Sequence, residues 1–282
     1  MSRRQRRPTR RSLLAAGPAA LGTFLLDPRV AQARGDDAEA APSAPPFSHG
    51  YPAQEPAAVR EVVSVSHFSL EKVRALVDDR PELAKAAWDW GFGDWETALG
   101  AASHTGNHAI AEYLIDNGAR PDLFTAAMMG NLAAVRAFVE GTPGIQSLPG
   151  PHGIHLRRHA ELGGERALAV LEYLDEVGGA DRGPEDLPLE LDRAAYVGTY
   201  EFGRGPEDRF EITLGREDRL MLQRGSGTAR ALFYQGKQVF NPAGAPSARI
   251  HFWTREGVVK ALEIHNPAPI VTAKRLAGDP AR

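Results

Sequence analysis

Trp95 to Asp122 reads WETALGAASHTGNHAIAEYLIDNGARPD, and its spacing predicts two short helices joined by a tight turn. Thr97, Ala98 and Leu99 open the first helix, Ala101 and Ala102 give it a thin apolar face, and Gly106-Asn107 interrupts it. Ile110, Ala111, Leu114 and Ile115 then recur at the three-and-four spacing of one buried face. Gly118 suits the positive φ at which helices close.

The pattern extends outward in both directions. Val62, Val63 and Val65, then Leu70, Val73, Leu76 and Val77, predict an earlier helix pair. After Asp122, Phe124, Ala126, Ala127, Gly130 and Asn131 restate the first helix and its break 24 residues after Gly106, and Val135, Phe138 and Val139 supply a second face. His155, Leu156, His159 and Ala160, followed by Leu168, Leu171 and Leu174, predict a last pair, with Gly163 33 residues after Gly130. The loop Gly141 to Gly153 between them carries Pro143, Pro149 and Pro151, as an exposed turn does. Each such pair can bury its apolar face only against its neighbours.

These units resemble the ankyrin repeat, whose T-P-L-H-x-A-A-x-x-G and L-x-x-G-A signatures are met with Ala98 in place of Pro and Gly100 in place of His. The resemblance implies a short, irregular α-solenoid of about four units over residues 59–180. The 24-residue step, against a family repeat of about 33, implies that the repeat after the anchor lacks its hairpin finger.

Beyond a linker at 181–192 the apolar period changes from 3.6 to 2. Val197 to Phe202, Arg209 to Leu214, Leu220 to Leu222, Ala231 to Tyr234, Lys237 to Phe240, Ile250 to Phe252, Val259 to Ile264 and Val271 to Lys274 predict about eight short strands. A meander of this kind closes most economically as an antiparallel barrel or a curled sheet. Tyr196-Val197-Gly198-Thr199-Tyr200, Phe240, Ile250-His251-Phe252 and Ala273-Lys274-Arg275 resemble the small β-barrel domain appended to bacterial penicillin-binding-type serine hydrolases, over Leu191 to Leu276. No S-x-x-K followed by Y-x-N and a K-T-G-like triplet accompanies it, so the resemblance implies an accessory or assembly module and brings no catalytic residues. The expected fold class is α+β: an ankyrin-type solenoid followed by an eight-stranded, lipocalin-like barrel over residues 193–278.

Residues 1–33 are expected to be an export signal. Six arginines between Arg3 and Arg11 precede a broken apolar stretch, Leu13 to Leu26, and Ala31-Gln32-Ala33 is an A-x-A cleavage site. Thr9-Arg10-Arg11-Ser12-Leu13-Leu14 resembles the twin-arginine motif, which implies a periplasmic or secreted product without a stable membrane anchor. Residues 34–58, rich in Ala and Pro, read as a flexible linker. Removing the seven Arg and one Asp of the signal from 33 basic and 36 acidic residues leaves 26 and 35, a net charge of −9. Such a chain repels phosphate backbones, so nucleic acid is not an expected partner. The absence of cysteine excludes disulfides, thiolate nucleophiles and cysteine-ligated metals.

Candidate sites are few. Trp88, Trp90, Phe92 and Trp95 put large, low-entropy contact area on a segment between repeats and suit partner binding, or else fill an irregular gap. His104 and Arg157 would extend that surface. His155 and His159, at i, i+4 spacing with His152 one turn earlier, could share a metal; no H-E-x-x-H exists, and capping or hydrogen-bonding roles are the expectation. Glu185-Asp186 and Asp78-Asp79 are expected to be solvated. No catalytic residue, cofactor or metal ligand is assigned. The leading expectation is an exported, non-enzymatic ankyrin protein binding another protein in the cell envelope, with homo-oligomer formation through the C-terminal domain as a further expectation. A second reading is a carrier of a small apolar ligand inside the barrel, lined by Phe202, Phe210, Phe233, Phe240 and Trp253; a third is a hydrolase-like enzyme with its site between the domains.

Overall fold

The computed structural model describes residues Pro52 to Ala277. The export signal, with Arg10, Arg11, Ala31 and Ala33, and most of the 34–58 linker lie outside these residues.

Among the described residues eight α-helices come first, as four contacting pairs: α1 (Pro56–Val65) with α2 (Leu70–Asp79), α3 (Ala98–His104) with α4 (His108–Asp116), α5 (Leu123–Met128) with α6 (Leu132–Gly141), and α7 (Leu156–Leu162) with α8 (Leu168–Val177). Helix α1 starts three residues before the position expected from its apolar spacing. The short helices α3, α5 and α7 stack in one row, continued by α1 on α3. Small residues make this close approach feasible: Ala98, Ala101, Ala102, Ala126, Ala127 and Ala160 are all buried. Ser103 Oγ and Thr125 Oγ1, 3.0 Å apart, tie α3 to α5.

Side-chain caps fix where these helices begin. Thr97 Oγ1 accepts from the Gly100 N–H at 2.8 Å and Asp122 Oδ1 from the Thr125 N–H at 2.8 Å, each satisfying an orphan donor of a first turn. His155 also caps rather than continuing a helical face: its Nδ1 accepts from the Arg158 N–H at 3.1 Å. This corrects the expectation that His155 and His159 share one face of a helix.

Between α2 and α3 the chain forms a hairpin, β1 (Ala87–Asp89) and β2 (Trp95–Thr97), with Trp88 opposite Glu96 and Asp89 opposite Trp95. Of the aromatic residues expected between repeats, Trp88 and Trp95 lie on these strands and Trp90 and Phe92 on the turn that joins them.

The remaining strands are β3 (Gly198–Glu201), β4 (Arg209–Leu214), β5 (Leu220–Arg224), β6 (Arg230–Gly236), β7 (Val239–Pro242), β8 (Arg249–Arg255), β9 (Val258–His265) and β10 (Pro269–Arg275). They form a closed antiparallel meander in which β10 pairs back onto β3. Aromatic rings fill its interior. Tyr196, Tyr200, Tyr234, Phe240 and Phe252 are fully buried, with neighbouring ring centroids 5.0–5.7 Å apart, mostly in the edge-on geometry such quadrupoles favour. The tyrosine hydroxyls keep partners: Tyr200 donates to the Tyr196 carbonyl at 2.7 Å and Tyr196 to Gln238 Oε1 at 2.6 Å. Two residues expected inside the barrel lie outside it. Trp253 is 50% exposed and stacks on His251, while Phe233 sits beneath the Arg219 guanidinium.

The 181–192 linker is free of helix and strand but bonded to the barrel between Glu185 and Glu190. Asp186 accepts from the Tyr234 N–H at 2.8 Å and pairs with Arg219 at 2.8 Å, and Glu190 accepts from Gln238 Nε2 at 3.0 Å. Asp186 remains exposed, as expected, and also serves as an acceptor for the barrel.

Candidate functional site

The Ala87–Thr97 hairpin stands where the helical stack meets the barrel. Trp88 and Trp90 pack on the helical core, and Phe92, at a φ of +59°, packs on the barrel core. Strand alternation then gives β2 two faces: Asp94 and Glu96 turn inward and are buried, while Trp95, 62% exposed, turns outward.

The buried face gathers four segments around Glu96. His104 Nε2, from the end of α3, lies 2.6 Å from Glu96 Oε1. His152 Nε2, from the loop before α7, lies 3.3 Å from the same oxygen, and His67 Nε2, from the α1–α2 turn, 3.5 Å from Oε2. Trp90 Nε1 donates to Oε2 at 2.7 Å. The His67 and His104 Nε2 atoms are 3.1 Å apart.

A second carboxylate backs this cluster. Asp94 Oδ2 lies 2.8 Å from His152 Nδ1 and accepts from Arg230 Nη1, on β6, at 2.8 Å; its Oδ1 accepts from the His152 N–H at 2.8 Å. Arg230 also donates to the Ala243 carbonyl at 2.7 Å. The barrel backbone comes so close that a Cβ at Gly244, whose φ is +74°, would lie 2.5 Å from Asp94 Cγ. Asp94 is therefore the pin between helices and barrel.

The electrostatics follow from burial opposed by bonding. Burial alone would raise the Glu96 carboxyl, but hydrogen bonds from His104, His152 and His67 outweigh it and hold the group well below the usual carboxylate range. Asp94 is likewise lowered: burial opposes its charge, while the His152 bonds, then Arg230, favour it. For His152, burial disfavours the imidazolium, yet the bonds to Asp94 and Glu96 push its pKa up to about 9. His67 is raised by Glu96 in the same way against burial.

His159 behaves in the opposite sense. It is fully buried, faces His104, the Phe124 ring, His155 and Glu96, and its two ring nitrogens have no hydrogen-bond partner among the described residues. Burial first, then the neighbouring His104 and His155, push its pKa down to about 3 from an ordinary 6.5. As pH falls below 6.5 the unfolded chain takes up this proton before the folded one does, so stability is intact above 6.5 and lost on the way down to about 3. At pH 5 the loss from this ring alone is about 2 kcal/mol. A His159→Met variant is expected to lose that much less stability than the parent between pH 7 and pH 5, measured by urea denaturation at both values; equal losses would show that the ring titrates normally.

The outer face borders a cavity of about 710 Å³ between stack and barrel, walled by Trp95, Phe124, Leu148, Pro149, Phe233 and Pro242, with Asp94, Asp122 and Arg182 as polar lining. Trp95 is the one residue of the expected partner-binding set in this wall. Trp88 and Trp90 are half-buried, Trp90 and His104 belong to the buried cluster, and Arg157 lies elsewhere, paired with Asp175 at 3.0 Å and Glu161 at 3.5 Å.

Sequence reading missed Asp94, Glu96, His67 and Arg230 as members of one site. The legible hint is Asp94 and Glu96 at i, i+2 in an aromatic stretch, which places both acids on one face of a strand.

No family model and no curated protein matches the chain. Among solved structures, a crystal structure of SurE is similar at 19% identity over 55% of this chain and 47% of that one, with a TM-score of 0.24, a likeness too slight to bear on fold or function.

Proposed function

We propose that this chain is an exported, ankyrin-type binding protein that recognises a protein partner, with an extended apolar segment of that partner lying in the cleft between stack and barrel. The observation that carries this reading is Trp95, 62% exposed at the edge of a cavity of about 710 Å³ walled by aromatic, leucine and proline side chains. A rigid aromatic at such a mouth offers large contact area with only two rotatable bonds to immobilise, which is the usual composition of an interface anchor. Four contacting helix pairs stacked in a row support the ankyrin-type reading. The closed barrel, its interior filled by aromatic rings, serves as the second wall of the cleft. Among the described residues no helix is long and apolar enough to cross a membrane.

The test is site-specific photo-crosslinking in the organism that makes the protein. A photoreactive phenylalanine at Trp95 is expected to give a discrete protein adduct that the same group at Ile270, 60% exposed on the barrel, does not. Equal labelling from both positions, or none from Trp95, would contradict the reading. Trp95→Ala is expected to abolish capture while changing stability by no more than about 0.5 kcal/mol.

A further inference from the structure

The geometry points to a divalent transition-metal site formed by His67 Nε2, His104 Nε2, His152 Nε2 and Glu96 Oε1, separate from the cleft and taking a borderline cation of the Zn2+ class.

The far sides of the rings are held by backbone and carboxylate acceptors. His67 Nδ1 lies 2.9 Å from the Ser64 carbonyl and 3.1 Å from that of Val63. Carbonyl oxygens only accept, so this nitrogen keeps its proton in either charge state of the ring, and Nε2 is the nitrogen that faces inward and can yield its place to a metal. His152 Nδ1 faces Asp94, a carboxylate held by Arg230, and the same reasoning makes Nε2, the atom turned toward Glu96, the one a metal would take. A ligating histidine is ordinarily oriented this way, with its second nitrogen bonded to a carbonyl or carboxylate.

The near sides then converge. The four atoms all lie within 4.8 Å of one another, with edges of 2.6, 3.1 and 3.3 Å between His104 and Glu96, His104 and His67, and His152 and Glu96. A tetrahedral cation with bonds of about 2.0–2.2 Å separates its donors by roughly 3.3–3.6 Å, so small outward shifts of the rings suffice. Trp90 Nε1 occupies Glu96 Oε2, which leaves Oε1 for the ion and makes the carboxylate monodentate.

Charge points the same way. The Glu96 side chain is 0% exposed, and a buried carboxylate needs a positive partner. Asp94 has the fixed charge of Arg230; Glu96 has an indole N–H and three imidazoles, whose positive charge depends on protons that a metal ion would replace. Three nitrogens and one oxygen, without sulfur, suit zinc, iron, nickel or copper over magnesium or calcium. The imidazoles of His67, His104 and His152 are 23%, 10% and 30% exposed, so an ion can enter and an outside ligand can reach it.

The experiment is a titration of untagged full-length protein with Zn2+ against a chromogenic chelator, paired with Co2+ substitution read in the visible. One ion per chain is expected, together with the intense visible bands of four-coordinate Co2+. His104→Ala and Glu96→Gln are each expected to weaken Zn2+ at least 100-fold and remove those bands, and Asp94→Asn to weaken it 10- to 100-fold. Should a core variant fail to fold by circular dichroism, His67→Gln, at a partly exposed position, takes its place, with the same expected loss. Sub-stoichiometric uptake, or one-to-one uptake unchanged by these variants, would overturn the proposal.

Discussion

Arg230→Met is expected to lower the unfolding free energy by about 3 kcal/mol, read from urea denaturation at pH 7. The guanidinium is buried and bonds to Asp94 and to the Ala243 carbonyl, so methionine fills its volume but strands a carboxylate that is 2% exposed. Removing one partner of such a pair costs about 3–5 kcal/mol. The lower end applies here because His152 remains beside Asp94. The double variant Arg230→Met, Asp94→Asn is expected to recover more than half of the loss, since a neutral amide needs no counter-charge. A cost below about 1 kcal/mol for Arg230→Met would mean that this pair behaves as an exposed one and that Asp94 is not what pins barrel to helices.

Gly130→Ala is expected to cost a similar or larger amount, about 2–5 kcal/mol. Gly130 closes α5 at a φ of +74°, and a Cβ there would lie 2.0 Å from the Arg166 carbonyl oxygen and 2.6 Å from its carbon. The left-handed backbone alone costs an L-residue about 1–2 kcal/mol; the rest comes from forcing the α5–α6 turn off the segment that precedes α8, an overpacking term of about 1–3 kcal/mol. Gly144→Ala isolates the two contributions. Gly144 has a φ of +89° but nothing within 4 Å of its would-be Cβ, so only the backbone cost of about 1–2 kcal/mol is expected. Equal effects at both positions, measured by denaturation, would show that the close approach of neighbouring helix pairs is not under strain from size.

Much of the architecture is legible along the chain because it rests on local rules. Helix starts at Thr97 and Asp122 follow from side chains that cap first turns, and the strand Arg209–Leu214 follows from its alternation. Alternation says which residues share a face, not which face is inward. That is why Trp253 and Phe233 are expected inside, when their neighbours Phe252 and Tyr234 are the ones that point there. The buried cluster is less legible for a different reason. His67, Glu96, His104 and His152 come from a turn, a strand, a helix end and a loop. Only the stacking of α1 on α3 and of α3 on α7 brings them together, and Arg230 arrives from the barrel. Spacing along the sequence carries no record of such meetings. The histidines that do show helical spacing, His155 and His159, are a cap and a buried neutral ring.

The hairpin holds a charged centre on one face and borders a cleft on the other. Crystals grown with one equivalent of Zn2+ and measured at the zinc absorption edge test this most directly. One anomalous peak is expected, bonded to Nε2 of His67, His104 and His152 and to Oε1 of Glu96 at about 2.0–2.2 Å, with Asp94 still bridging His152 and Arg230. A peak at surface histidines such as His251 or His265, or none beside Glu96, would contradict it.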